Sequence, residues 1–299
     1  MKLLQRPERF WAEIFQLEGS ATLYVMRRSL IFGGIALLVT FVEKHPSFPT
    51  VAVPVTPYEV LGAALGALLA FRTNAGYERW WEARKLWGGI INQSRNLTIQ
   101  SLAHGPDDPV WRRQIVSWIA AFAHVARHSL RGERSLPELK PLIGPEQTAR
   151  VEAAVHMPSA AALAIGELLG EAVERQGMTE MSLHRAEQER AGLIDHVGGC
   201  ERILKTPLPL AYSIEIRQFI FVFLVALPFG ILQKADWLTP LVTTLVAFPI
   251  LALDEIGVEL QNPFSTDRLN HLPLDDICRQ LEQNLLALLN DAAPDSTSA

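Results

Sequence analysis

Apolar residues in this chain gather in blocks, and four of the blocks carry no charge: residues 29–42, 60–71, 218–232 and 237–253. A bilayer core of about 30 Å takes roughly 20 helical residues at about 1.5 Å each. Each uncharged stretch falls short of that, but each has a natural extension. Residues 60–71 reach back through Glu59 to Pro54, and residues 218–232 reach back through Arg217 and Glu215 to Pro207. The last two blocks are joined only by residues 233–236, a hairpin apolar on most faces. Such a hairpin has no place to hide its surface except lipid, which argues against core helices of a soluble protein. The pattern predicts an all-α fold with four membrane-crossing helices and a helical cytosolic domain.

Basic residues beside the spans set the orientation. Arg27 and Arg28 precede the first span, while Arg72, Arg79, Arg84 and Lys85 follow the second. Arg202 and Lys205 precede the third. With four crossings all of these lie on one side, so both termini and the long middle segment are expected in the cytosol. The predicted organisation is residues 1–72 for an N-terminal segment and two spans, 73–206 for the cytosolic helical domain, 207–260 for two more spans and 261–299 for a cytosolic C-terminal segment. Charges at Lys2, Arg6, Glu8, Arg9 and Glu13 precede any apolar run, and no signal peptide is expected. The tail from Ala292 is small and polar, and disorder is expected there.

Within the middle segment, the second span continues with no proline and no glycine pair before Gly88-Gly89 and then to about Leu102. That predicts a helix of roughly 65–70 Å. Asp108 is placed as an N-cap with Pro109 in the first turn. Ile115, Trp118, Ile119, Phe122, Val125 and Ala126 then form one apolar face. Leu193, Val197, Cys200 and Leu204 make a second stripe, and Ile277, Leu281, Leu285 and Leu288 a third.

Composition narrows the function. A net charge of -5 without a long basic run argues against nucleic acid. Cys200 and Cys278 fall in segments placed in the cytosol and lack a CxxC spacing, so neither a disulfide nor zinc is expected. His124 and His128 have a four-residue spacing that could share a metal, yet no third ligand is visible; a solvated or partly packed helix face is the simpler reading. No nucleophile elbow, phosphate loop or dinucleotide fingerprint is present, so no enzyme activity and no cofactor is expected.

The second span is rich in small residues, with Gly62 and Gly66 forming a GxxxG and Ala63, Ala67 and Phe71 sharing one face. Such a face serves close helix packing or, repeated around an axis, an apolar pore that gates by dewetting. Spacing leaves both open. Arg217 lies about one turn inside the third span, where a charge normally faces protein or water; an acid on a neighbouring helix is its expected partner.

Longer motifs carry a resemblance. Phe71-Arg72-Thr73-Asn74, then Tyr77-Glu78-Arg79-Trp80-Trp81-Glu82-Ala83-Arg84 and Leu86-Trp87-Gly88, resemble the bacterial bestrophins. So do Pro207-Leu208-Pro209-Leu210-Ala211-Tyr212 before the third span and Asn262-Pro263-Phe264 after the fourth. The blocks come in the family's order and cover nearly the whole chain.

The resemblance implies a homopentameric ion channel of the inner (plasma) membrane with one axial pore. Its membrane neck would be lined by Ala63, Ala67 and Phe71, and its cytosolic aperture by Leu208. The remaining motif residues, Arg72, Asn74, Tyr77, Arg79, Trp80, Glu82, Arg84, Trp87, Pro207, Pro209, Tyr212, Asn262, Pro263 and Phe264, would be structural. The family commonly has bulkier aliphatics where this chain has Ala63 and Ala67. Eukaryotic relatives follow the Asn-Pro-Phe motif with a run of acids for calcium. Here Asp267 is the lone carboxylate in Ser265-Thr266-Asp267-Arg268-Leu269, and calcium wants several charged oxygens, so no metal is expected. Relatives include both chloride channels and conductors of monovalent cations, and the net charge of -5 leans weakly toward cations. The expected partners are further copies of the chain, the bilayer and permeating monovalent ions. The rival classes are a membrane-anchored signalling or scaffold protein and a secondary transporter; no internal repeat supports the latter.

Overall fold

A computed structural model describes residues 22–47, 54–175, 177–268 and 270–292. Among them there is no strand. The helices are α1 (Thr22–Lys44), α2 (Thr56–His104), α3 (Pro109–Arg131), α4 (Leu139–Ile143), α5 (Pro145–Ala153), α6 (Met157–Glu174), α7 (Glu180–Lys205), α8 (Leu210–Ala235), α9 (Thr239–Glu259) and α10 (Leu274–Asp291). A 3-10 turn, Asp236–Leu238, links α8 to α9. Two stretches are long and apolar enough to cross a membrane, Thr22–Lys44 and Leu210–Glu259. The expected disordered tail lies almost entirely outside the described residues.

The chain divides into two compact units. The first comprises residues up to Trp80, Pro207–Asn262 and Asp267–Asn270; the second comprises Trp81–Thr206, Pro263–Thr266 and the chain from His271 on.

In the first unit α1 and α9 pack most extensively, and the reason lies in small side chains. The buried positions of α1 are Val25, Ser29, Gly33, Ala36 and Thr40. A Cβ on Gly33 would collide with the Thr244 hydroxyl. This small-residue seam lets the two backbones approach. Its hydroxyls cost nothing in an apolar setting because each bonds the carbonyl one turn earlier: Ser29 to Val25 at 3.0 Å, Thr40 to Ala36 at 2.8 Å and Thr243 to Thr239 at 2.9 Å. Leu65 and Leu69 of α2 join Ile216, Ile220, Phe223 and Leu224 of α8 in the core of the same unit.

In the second unit α3 is the central helix. Asp108 caps it, accepting the Val110 N–H at 2.9 Å, with Pro109 in the first turn as expected. Gly132 ends it at φ 73°, a conformation glycine adopts without strain. The expectation of a single apolar face needs correction. Ser117, His124, Arg127 and His128 are buried along with the apolar residues, because α4, α6 and α10 pack around the helix. The α10 stripe is also shifted: Leu274, Cys278, Leu281 and Leu285 are buried, whereas Leu288 is exposed. On α7, Ile203 is buried rather than Leu204. Cys200 and Cys278 are free and buried. Burial pushes both thiols up to about 12, so neither is reactive at neutral pH.

Candidate pore face and its ionic collar

The first unit presents two contrasting sides of α2. Leu65, Leu69, Arg72 and Gly76 are buried. Ala63, Ala67 and Phe71, four residues apart and so on one face, are exposed. Phe71 is 68% exposed despite its size. The GxxxG pair splits between these sides. A Cβ on Gly62 would sit 3.3 Å from the Phe223 ring of α8, whereas one on Gly66 meets nothing within 4 Å. Gly62 therefore serves packing within the chain, and Gly66 faces outward.

Below Phe71 the helix meets a buried ionic cluster. Arg72 is 1% exposed, and its guanidinium bonds directly to the Asp254 carboxylate of α9. Close backbone approach makes this contact feasible. A Cβ on Gly76 would lie 3.2 Å from the Gly257 carbonyl oxygen, and one on Gly257 would lie 3.4 Å from the Arg72 side chain. The other Asp254 oxygen accepts from Arg217 Nε at 3.3 Å, so the expected acid partner of Arg217 is found. Arg28 of α1 donates to Glu255 at 3.0 Å. Asp254 and Glu255 were missed as site residues because they lie immediately beyond the apolar run that ends at Leu253. The signal was available: three arginines flank spans at a comparable level, and buried charges require counter-ions.

The motif residues after Phe71 tie α2 to neighbouring chain. Asn74 donates to Glu78 at 2.9 Å. Tyr77 stacks on Trp80, whose indole N–H donates to the Asn270 carbonyl at 2.9 Å. Arg79 reaches the Gln261 carbonyl at 3.4 Å, next to Asn262. In the second unit Glu82 pairs with Arg202 at 2.5 Å, Trp87 is fully buried, and Arg84 lies half-buried. Pro263 accepts the Leu272 N–H at 2.8 Å, and Phe264 is buried. Ahead of α8, Pro207 and Pro209 are exposed and Leu208 is half-buried. Pro209 sits at the N-cap with φ -51° and ψ 131°, a conformation that sets the turn before the helix. Tyr212 packs against the core of the first unit. Ala63, Ala67 and Phe71 thus share one open face, while the structure brings Arg72, Arg79, Trp80 and Tyr212 into packing or hydrogen bonding.

Among the described residues no group of histidines, cysteines and acids is placed to hold a metal ion. Asp267 is exposed, with no second acid in its segment.

Known proteins match the chain along almost its whole length. A voltage-dependent anion channel-forming protein of Nostoc sp. (strain PCC 7120) is 34% identical over 283 residues, covering 93% of this chain and 91% of its own. The protein of that description from Escherichia coli O157:H7 is 32% identical, covering 97% and 95%. Both are named for channel formation and not for catalysis. The solved structure of a bacterial bestrophin homologue from Klebsiella pneumoniae superposes with a TM-score of 0.81 at 28% identity, covering 90% of this chain and 98% of that one. The family model described as Bacterial/Fungal Bestrophin protein matches residues 1–287. The chain is therefore a membrane protein that belongs to the bacterial and fungal bestrophin family.

Proposed function

We propose that this chain is the pore-forming subunit of a homopentameric channel that passes monovalent anions through the inner membrane. The observation that carries the reading is the outward stripe Ala63, Ala67 and Phe71 on a helix whose opposite side is packed. Four crossings, by α1, the first part of α2, α8 and α9, would leave both termini in the cytosol. Copies of α2 would surround the axis, with Phe71 the narrowest membrane ring and Leu208 the cytosolic aperture. Apolar rings bind ions weakly and exclude those that hold water tightly, which suits large, loosely hydrated anions and fast exit. The names of the relatives support anions over the cation preference suggested by net charge. Net charge describes the whole surface and says little about a pore wall.

The test is current through the purified protein in planar bilayers under a steep KCl gradient. A reversal potential close to that of chloride is expected. A reversal close to that of potassium would refute the anion assignment, and absence of stepwise current would refute the channel.

A further inference from the structure

In the first unit, two adjoining hollows of about 220 and 510 Å³ share Arg217 and Phe221 as walls. The smaller has an apolar floor made by Phe32 of α1, Ile220 and Phe221 of α8, and Leu251 of α9. The Phe32 and Phe221 rings meet edge to face at 6.3 Å. At one end stand two guanidiniums, Arg28 and Arg217. Asp254 also lines that end, but it is shared between Arg72 and Arg217. Glu255 pairs directly with Arg28. The three arginines and two carboxylates therefore leave one positive charge uncompensated. Arg217 uses only Nε on protein, and its two terminal nitrogens have no protein acceptor among the described residues. Its side chain is 52% exposed.

Arg28 is already engaged by Glu255 and by the Tyr24 hydroxyl at 2.6 Å, so the unspent donors are those of Arg217. An apolar trough headed by such donors is complementary to a lipid with an anionic headgroup. We infer that this hollow binds one anionic phospholipid, its phosphate at Arg217 and Arg28 and an acyl chain along Phe32 and Phe221. The inference rests on the membrane crossings proposed above and does not depend on conduction. A binding measurement therefore separates its failure from that of the channel.

The test is native mass spectrometry of the purified protein in neutral detergent, titrated with phosphatidylglycerol or phosphatidylcholine. One uncompensated positive charge near the headgroup, at about 1 kcal/mol, predicts a preference for phosphatidylglycerol of about fivefold. Arg217→Gln should reduce that preference to near parity. Phe221 is exposed, so Phe221→Ala gives up its edge contact with Phe32 but leaves the buried core in place, and it should weaken retention of both lipids even if Arg217→Gln loosens the Asp254 cluster. Equal retention of the two lipids by the wild type would overturn the proposal. So would a preference that survives both Arg217→Gln and Arg28→Gln, a hollow closed to lipid by a second copy of the chain, or displacement of the bound lipid by millimolar inorganic phosphate, which would mark a simple anion site.

Discussion

At the scale of single residues, the account turns on Phe71 and Asp254. Phe71 is large, apolar and exposed at a position where the two preceding residues of its stripe are alanines. If copies of α2 surround an axis as proposed, side-chain size alone would make it the main neck constriction. Phe71→Ala should raise single-channel conductance by roughly twofold or more, and Ala67→Phe should lower it. Unchanged unitary currents in both variants would end that assignment. Asp254 does different work. It is buried between Arg72 and Arg217, so Asp254→Asn leaves two guanidiniums facing a neutral amide. Removing one partner of a buried ionic cluster costs about 3–5 kcal/mol. A clear fall in thermal stability, followed by tryptophan fluorescence in detergent, is expected; a midpoint equal to wild type would show that the cluster is solvated in the assembled protein. Arg72 was visible in sequence as part of a motif. That some acid must answer the flanking arginines was readable too, but a linear apolar pattern does not say which acid beyond its end turns inward.

At the scale of elements, uninterrupted local signals were legible and long-range pairing was not. The 49-residue helix α2 follows from an unbroken run, and at about 1.5 Å per residue it extends roughly 73 Å. The Asp108-Pro109 cap likewise follows from local chemistry. The fate of His124 does not. It faces Glu282, 158 residues away, at 2.8 Å, with Arg127 and Glu138 close by. Expected on a solvated or partly packed face, it is buried on the central helix instead. Burial is the largest influence on its imidazole and lowers it below the ordinary 6.5, against the hydrogen bond from Glu282, which raises it. The folded protein thus holds this proton less tightly than the unfolded chain. Its contribution to stability is full above pH 6.5 and drains away as pH falls toward the lower folded value. Burial alone would raise Glu138, but bonds from its own backbone, Arg127 and His128 prevail and hold it at about 2. Asp275, bonded by Arg131, is also held at about 2. Glu138, at the start of α4, and Asp275, on α10, keep their contacts with α3 until far lower pH. Between pH 7 and 5, therefore, the unfolding midpoint should fall in wild type and fall less in His124→Gln. Parallel pH profiles would exclude His124 as the source.

At the scale of the whole molecule, the two faces of α2 need different surroundings. Leu65 and Leu69 find theirs within the chain, whereas Ala63, Ala67 and Phe71 find none among the described residues. Further copies around an axis would supply it. In such an assembly the half-buried Leu208 would ring the cytosolic opening, and Leu208→Ala should raise the permeability of large anions relative to chloride. Identical permeability ratios before and after would remove that role. The apolar blocks were legible in the sequence, but the seams between their helices were not. The closest packing uses Gly33 on α1, and half of the GxxxG on α2 faces away from any helix of its own chain. The sharpest test of the central claim, that this face lines an aqueous path, is cysteine substitution along α2 with a charged thiol reagent added during current recording. The native cysteines are buried and should not respond. Cysteines at positions 63, 67 and 71 should react and block current, while cysteines at 65 and 69 should not. Equal reactivity on both faces, or reactivity confined to 65 and 69, would contradict it.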